Sequence, residues 1–594
     1  MQVRGMLSVV LAGALNYIFV NSVSASAVPS ANSASRNCCR HIPGDAGWPS
    51  RRDWARLNST VGGRLVATIP LAHVCHETGP FAAYDAAACD GLRQDFLQTG
   101  PATICPAPGE ILNPYWQNNT CSPFTASVAS CELGNRPVYS INVTGHRDVQ
   151  AGLSFAKKRN VRLVIRNTGI DYLGKSAGQG SLALWTYHLK DIHITKDYES
   201  PSYTGPAVKL GAGVIAGEAY AAVQKAGYRI VAPECGLVGF AGGYIQSGGQ
   251  SQLVTAYGLA ADQALEWEVV TPEGELLIAT PEKNTDLYWA LAGGGGGTFG
   301  VVLSVTVKAF LEGPVAGGQM VVKTSNKTAL WEAVETWYHK GPSFVNNSRN
   351  NIQFFVTNDS LTILSFTMPD ENDAAIDTIL STYIPELKRL NLTYNLTKAN
   401  FPSYAESFVD AYGPLPYGDL CPSFPIISSR LIPRSTVLNK TSNKHLMDVY
   451  RNIVDDGTWW IGCSFLNVDD KPGSARPPHP PNSIHPAWRE AVAYCNPQTH
   501  QPYDWVNEVT NTLLRQKLVN DIFPSLEAAT PGAGILPEVD PTYKGNWKDT
   551  FYGPYYNQLL KIKHKYDPHK LMYGLFAVGS DEFRIDPAGR LCTV

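Results

Sequence analysis

With 594 residues, the chain exceeds the size at which one hydrophobic core stops growing, so two or more packed units are expected. Its 44% hydrophobic and 17% charged residues, with 52 glycines and 41 prolines, exclude a disordered or fibrous chain and describe a loop-rich globular one. A net charge of −3 gives no electrostatic case for nucleic acid or an anionic membrane, which leaves small molecules as the expected partners.

The N-terminus joins one basic residue, Arg4, to an apolar run from Met6 to Val20 and a small-x-small site, Ala25-Ser26-Ala27. That pattern predicts a secretory signal peptide over 1–27. A membrane anchor is the competing reading, but the run is shorter than the ~20 apolar residues a span needs. No later segment reads as a transmembrane helix, so no stable membrane span is expected after signal cleavage. Sequons at Asn58, Asn142, Asn326, Asn358, Asn391, Asn395 and Asn439 point to a glycosylated, secreted product or one held in a vesicular or vacuolar lumen. Of twelve cysteines, Cys38, Cys39, Cys75, Cys89, Cys105, Cys121 and Cys131 crowd the start of the chain. They predict a disulfide-stapled extension over 28–131 whose pairing stays open.

From about Pro137 the texture changes. PVYSINVTG reads as a strand, HRDVQAGLSFAKKRN places Val149, Leu153 and Ala156 at helical spacing, and VRLVIRNTG is a buried strand ending in a glycine turn. Strand, helix and glycine-dense loop then alternate up to Leu253. ALEWEVVTPEGELLIAT is a hairpin turning at Pro272-Glu273-Gly274. The next segment, NTDLYWALAGGGGGTFGVVLSVTVKAF, sets five consecutive glycines between a short helix and a strand. From roughly 315 to 530 the glycine runs vanish and helical patches alternate with strands such as NIQFFVTN and LTILSFTM, which predicts a second domain. KPGSARPPHPPNSIHP is expected to be a surface loop within it.

Glycine runs let backbone N–H groups close on a diphosphate without Cβ interference, and three in one region imply a large, multiply wrapped cofactor. None is a Walker loop, and no G-x-G-x-x-G opens the first helix. LAHVCHE brings His73, Cys75 and His76 together without the distant pair a zinc site needs, so no metal is predicted and a disulfide at Cys75 is preferred. No G-x-S-x-G elbow argues for a serine hydrolase.

Four segments in order, RNTGIDYLGKS, PECGLVGFAGGYIQSGGQSQLVTAYGLAADQALEWEVVT, DLYWALAGGGGGTFGVV and LLKIKHKYDP, resemble the signatures of fungal berberine-bridge-enzyme-like FAD-linked oxidoreductases of the vanillyl-alcohol-oxidase superfamily. The opening PGDAGWPSRRDWARLNSTVGGRLVATIPLAHVCH is similar to the leader-proximal block of the same group. The resemblance implies an α+β fold. A PCMH-type FAD-binding domain of two subdomains would occupy 132–314. A substrate domain, with an antiparallel sheet flanked by helices, would occupy 315–540, and 541–594 would return to the FAD domain. The implied reaction is oxidation of a C–OH, C–N or activated C–H bond of a small molecule, with FAD as cofactor and O2 as acceptor. Secondary-metabolite chemistry is the implied setting, including alkaloid ring closure toward chanoclavine; a carbohydrate or alcohol oxidase, a non-redox flavin-containing cyclase and an inactive flavin-binding protein are the alternatives.

Carried over by that resemblance, Arg166, Asn167, Thr168, Gly169, Ile170 and Asp171, with Gly174, Lys175 and Ser176, would form the loop around the pyrophosphate. Val238, Gly239, Gly242, Gly243, Gly248, Gly249, Gln250 and Ser251 would line the dinucleotide, with Phe299, Gly300 and Val302 beside it. Relatives commonly read Arg-Asn-Thr-Gly-His-Asp, and the histidine bonds the flavin 8α-methyl group. Ile170 stands there and has no nucleophilic atom, so that bond is excluded. Some relatives also tether flavin C6 through the cysteine of a Cys-x-x-Val-Gly pattern. Cys235 keeps that cysteine, which leaves a cysteinyl link, a noncovalent flavin and a buried structural cysteine all open. Other departures are His41 and Gly47 in place of a cysteine pair, Gln250 in place of a histidine, and Tyr555-Tyr556 in place of an Asn-Tyr. For the base that takes the substrate proton the residues offer Tyr244, Tyr257, His485, Glu490 and Tyr494; each also reads as a packing or surface group, and the sequence assigns none.

Overall fold

The computed structural model describes residues 39–98, 101–111, 113–117, 120–346, 348–418, 426–470, 476–501, 503–504, 506–536 and 543–594; the predicted leader lies outside them. The first sheet runs Leu65–Ala67, Tyr139–Asn142, Leu182–Trp185, Leu163–Arg166, the last three mutually parallel. Parallel strands need a crossover, and the helix His146–Arg159 supplies one. It buries Val149, Leu153 and Ala156, as their spacing predicts. Asp148 opens the helix by accepting from Thr144 N at 2.9 Å and Oγ1 at 2.8 Å, while Lys157, Lys158 and Arg159 face its carbonyl end. Asn160, with φ 52°, ends it in the left-handed conformation.

A five-stranded antiparallel sheet follows in the order Ile192–Ser200, Tyr203–Gly211, Val301–Lys308, Ala264–Val270, Leu276–Ala279. Its last two strands are the expected hairpin, closed by Gly274 N donating to Thr271 O at 2.8 Å. The third sheet has seven antiparallel strands, ordered Tyr394–Phe401, Val315–Lys323, Ser360–Pro369, Asn351–Val356, Trp459–Phe465, Ala491–Thr499, Arg430–Pro433. Side chains alternate along a strand, so Trp459, Ile461 and Phe465 enter a core with Trp337 of the helix Lys327–Val345. The opposite face therefore carries Trp460, Gly462 and Ser464, paired across the register with Gln498, Asn496 and Tyr494.

The N-terminal segment is stapled by Cys75–Cys89 and Cys121–Cys131, and Cys39–Cys592 ties the beginning of the described chain to its end. The bond at Cys75 occupies the sulfur that a zinc site would need. Its helix Arg51–Thr60 starts with a Ser50/Asp53 capping box and rests Trp54 on Tyr139 and Phe155. The described part of the proline-rich stretch is a loop with Pro478 and Pro481 exposed, as expected, but its end turns inward. Residues 471–475 lie outside the described set, but Ser483 and Ile484 are buried, with Ser483 N donating to Ala292 O at 2.9 Å and Ile484 packed against Gly293. Prolines cannot donate, so their composition looks like surface, yet the segment between them carries N–H groups back to the glycine loop.

The C-terminal helix Tyr556–Tyr566 holds the five-glycine segment in place. Lys563, 4% exposed, donates to Thr298 O at 3.1 Å, Met572 O at 2.9 Å and Asp567 Oδ2 at 2.7 Å. Asp567 also accepts from Leu571 N and Met572 N. Removing the anion strands a buried ammonium, so Asp567→Ala is expected to lower stability by about 3–5 kcal/mol. Chemical denaturation of wild type and variant measures it, and coincident midpoints would contradict the assignment.

Candidate active site

The strand Leu163–Arg166 ends at a cavity of about 650 Å³, a size suited to a cofactor or small molecule. Arg166 is fully buried and fixes the turn from below. Its Nε donates to Glu110 O at 2.8 Å, Nη1 to Cys105 O at 3.2 Å and Asn167 O at 2.9 Å, and Nη2 to Ile104 O at 2.9 Å. Burial pulls this guanidinium down to about 10, still charged near neutral pH. Above it Gly169 has φ +77°, and a Cβ there would lie 2.7 Å from Glu110 O, so glycine alone fits. Asp171 closes the loop, accepting from Leu173 N at 3.0 Å and from Ser176 N and Oγ at 2.7 and 2.6 Å.

Two glycine segments complete this side. A Cβ on Gly239 would lie 2.4 Å from the side-chain Nδ2 of Asn167, and one on Gly296 would lie 2.8 Å from Gly243 Cα, so the three loops meet too closely for side chains on these glycines. Gln246 O accepts from Gly293 N and Gly295 N, which ties the second loop to the third. Lys175 lines the cavity and brings Nζ within 3.6 Å of where a Gly295 Cβ would be. Asn167 Oδ1 and Gln246 Oε1 are buried without a hydrogen-bond partner, on residues that line the cavity. An ammonium beside glycine backbone and two unanswered acceptors suit a ligand with a diphosphate at one end and N–H or O–H donors along its length, which FAD has.

Of the residues that the resemblance assigns to FAD, Arg166, Gly174, Gly248, Ser251 and Phe299 lie behind the wall of the cavity, and the others line it. Gly174 is packed under Trp116, and Phe299 is wholly buried. Ile170 faces the cavity and packs against two apolar groups, one with Ile104 and Tyr503, the other with Cys105, Ile215 and Leu237. Cys235 lines the same wall but is disulfide-bonded, its partner lying outside the described residues. With that bond intact the sulfur has no thiol to join a flavin, and of the three roles open to Cys235 the structure shows the buried structural cysteine.

The face of the seven-stranded sheet described above roofs the cavity through Gln353, Trp460, Tyr494, Asn496 and Gln498, with Tyr412 from the helix Tyr404–Tyr412. Asn496 Nδ2 donates to Tyr494 Oη at 2.8 Å and to Ser428 O at 3.0 Å. Only two of the sequence's base candidates are here. Tyr494 lines the roof and Tyr244 the floor, where its hydroxyl donates to Gln250 O at 2.9 Å. Burial raises both phenols above their ordinary range. Tyr257 instead stacks on Phe310 and accepts from Arg229 Nε; His485 is turned onto Asp549 O; Glu490 is exposed. None of these three lines the cavity.

One ionisable group escaped the sequence reading. Glu234 lines the cavity and accepts from Gln353 Nε2 at 2.7 Å; burial lifts its carboxyl to about 7. Its neighbour Cys235 drew attention in the motif, and the glutamate is distinguished only by the chain that folds over it. The polar residues of Ala491–Thr499, by contrast, recur with period two at Tyr494, Asn496 and Gln498, a signal of a polar face.

Residues 137–280 match the family described as FAD binding domain, and 523–573 the one described as berberine and berberine like. Over 561 residues the chain is 45% identical to the bifunctional decalin synthase calF of Penicillium decumbens, covering 94% of this chain and 96% of that protein. It is 44% identical over 559 residues to the VAO-type flavoprotein oxidase VAO615 of Thermothelomyces thermophilus, covering 93% and 95%. The chain belongs to the VAO-type FAD-linked oxidoreductases. The crystal structure of the VAO-type flavoprotein MtVAO615 from Myceliophthora thermophila superposes with a TM-score of 0.89, spanning 94% of this chain and all of that one. A glucooligosaccharide oxidase from Acremonium strictum, 16% identical with a TM-score of 0.60 over 75% of this chain, shares the fold.

For a VAO-type flavoprotein, the glycine contacts set the cofactor's fit. Asn167 Nδ2 is held on Ala212 O at 2.6 Å and cannot yield to a new methyl group. Gly239→Ala is therefore expected to purify with several-fold less FAD, read from the ratio of flavin to protein absorbance. Gly91→Ala, where a Cβ meets nothing within 4 Å, should keep the wild-type ratio.

Proposed function

We propose that this chain uses FAD to oxidise a small, largely apolar substrate at a C–OH, C–N or activated C–H bond, with O2 as electron acceptor, and that the product is a ring-bearing secondary metabolite. The observation that carries this reading is the cavity itself, in which a glycine-walled, lysine-bearing floor faces a roof of separate chemistry. FAD, when bound there, supplies a two-electron acceptor. The chain's own residues do the rest. Asn167, Lys175, Gln246 and the glycine backbone hold the cofactor, while Trp460, Ile427 and Leu536 offer the substrate an apolar surface that excludes water. Asn496, Gln498 and Tyr494 orient it through hydrogen bonds.

Ring formation is favoured by the similarity to a protein described as a bifunctional decalin synthase, which covers nearly the whole of both chains. Alkaloid ring closure remains an instance of the same class. A non-redox cyclase, in which the flavin shapes the pocket without turning over, is the second reading favoured by that relative. The FAD is held noncovalently in our reading, because Ile170 has no nucleophile and Cys235 is already bonded. The disulfides Cys39–Cys592, Cys75–Cys89, Cys121–Cys131 and Cys463–Cys495 support maturation in an oxidising compartment, in keeping with the leader and the sequons.

Two measurements test the proposal. Acid precipitation of the yellow holoprotein should release the flavin to the supernatant; flavin kept in the pellet would refute noncovalent binding. Anaerobic mixing with a panel of polyene, polycyclic and oligosaccharide alcohols should bleach the flavin with the apolar members, and air should restore the colour. Bleaching by oligosaccharides alone would overturn the apolar assignment. Product without bleaching would establish the cyclase, and neither product nor bleaching a binding protein.

A further inference from the structure

Two carboxylates line the cavity among the described residues, Asp171 and Glu234, and their surroundings differ. Asp171 spends its oxygens on its own loop, on the N–H groups of Leu173 and Ser176 and the Ser176 hydroxyl. Glu234 looks across to the roof, where Gln353 Nε2 donates to its Oε1 at 2.7 Å and the Gln250 side chain also bonds it. We propose that Glu234 is the acid–base group of this cavity, taking the proton that a substrate hydroxyl, N–H or activated C–H gives up on oxidation. The inference rests on the oxidation reading above.

The geometry assigns the role in three steps. First, the carboxylate is held in place. Gly236 is wedged under the 414–418 segment, where a Cβ would meet Pro416 O at 2.3 Å, and its carbonyl accepts from Gly217 N at 2.9 Å. Gln353 Oε1 accepts from the Tyr412 hydroxyl, which sets its NH2 toward Glu234.

Second, nothing locks the group into one charge state. The groups that face it are Gln250 and Tyr244 from the glycine loop, Gln353 and Tyr494 from the roof, Tyr404 and Tyr412 from one helix, and Tyr220 from the helix Ala216–Lys225. Every phenol among them is pushed upward by burial and stays neutral, and among the described residues no lysine, arginine or histidine acts on the carboxyl. Asp262 shows the opposite case in the same fold. Though it too is buried, Arg489 clasps both of its oxygens and it is held down at about 2. Glu234, held only by amides and lifted by burial to about 7, can both take and return a proton near neutral pH.

Third, the balance closes. The proton would go from the substrate's O–H, N–H or C–H to a Glu234 oxygen, the adjacent carbon would give up its hydrogen with the electron pair to FAD, when bound, and a double bond would form between the two atoms. The proton would return to solvent when the oxidised product leaves, and O2 would take the two electrons from the reduced cofactor, with the hydrogen carried there and one proton from solvent, to give H2O2. The base form is the carboxylate, so the rate of oxidation should rise with pH through about 7 and level off above it.

Infrared difference titration of the holoprotein reads the group without any substrate. A protonated-carboxyl band should vanish with a midpoint near 7 and be absent from Glu234→Gln. In Gln353→Leu, which loses a donor to the carboxylate, the midpoint should move upward. The compound that bleaches the flavin in the panel above supplies the second readout. Glu234→Gln should keep its FAD, reduce it about 100-fold or more slowly and lose the pH step. No carboxyl titrating near neutral pH, or a Glu234→Gln flavin bleached at the wild-type rate with the wild-type pH profile, overturns this inference alone. A flavin that nothing in the panel bleaches overturns the oxidation reading and the proton transfer with it.

Discussion

A single buried guanidinium holds the two sides of the cofactor floor together. Arg166 binds carbonyls from Ile104, Cys105 and Glu110 on one segment and from Asn167 on another, and has no exposure to water. An arginine in such a place stays charged, so its N–H groups must be met by protein, and the carbonyls that meet it lose their freedom to move. The loop that begins at Asn167 is thereby fixed to the disulfide-stapled N-terminal segment. Glu110 adds a second tie, as its carboxylate takes Arg136 at 2.9 Å and Leu71 N at 2.8 Å while its carbonyl takes Arg166. The stapled segment is therefore a buttress for the floor, which explains why so many cysteines are spent on it.

On that buttress the cavity divides into two kinds of surface. The floor is made of main chain and binds by close approach, so it tolerates no side chains where Gly239 meets Asn167 or Gly296 meets Gly243. The roof is made of side chains from a pleated sheet and can change its residues without moving its backbone. Trp460, Asn496 and Gln498 are neighbours only because Trp460 pairs with Gln498 and Gly462 with Asn496.

The floor was legible in the sequence because its signals are local. A buried strand, a helix with apolar residues one turn apart and a run of glycines need no knowledge of distant contacts. The roof depends on pairings between separate strands, Trp460 with Gln498 and Gln353 with Ser464, so the period-two polar residues Tyr494, Asn496 and Gln498 offered a signal whose partner the sequence could not supply. His485 and Tyr257 show the limit from the other side. Both stand close in sequence to the elements that shape the cavity, yet His485 is turned onto Asp549 O and Tyr257 is packed between Phe310 and Arg229. Nearness along the chain said nothing of direction. The end of the proline-rich segment misled for a different reason: composition reports solubility, whereas Ser483 and Ile484 are placed by hydrogen bonding and packing against the glycine loop.

Replacing a histidine with Ile170 changes more than the loss of one bond. The isoleucine completes an apolar wall with Ile104, Cys105 and Leu237, where burial pushes the Cys105 thiol up to about 12 and leaves it inert. On the noncovalent reading proposed above, retention of the cofactor would fall to many weak contacts, of which the strongest in a dry site would be those between a diphosphate, the glycine N–H groups and Lys175. Among the described residues Lys175 is the cation that lines the cavity, beside the glycine backbone, and no cation acts on Glu234. A cation beside that carboxyl would hold it ionised as Arg489 holds Asp262; its absence leaves burial in control of the proton. If the flavin is held noncovalently, as proposed above, the arrangement that grips it also leaves Glu234, among the described residues the cavity carboxyl lifted toward neutral pH, able to change charge.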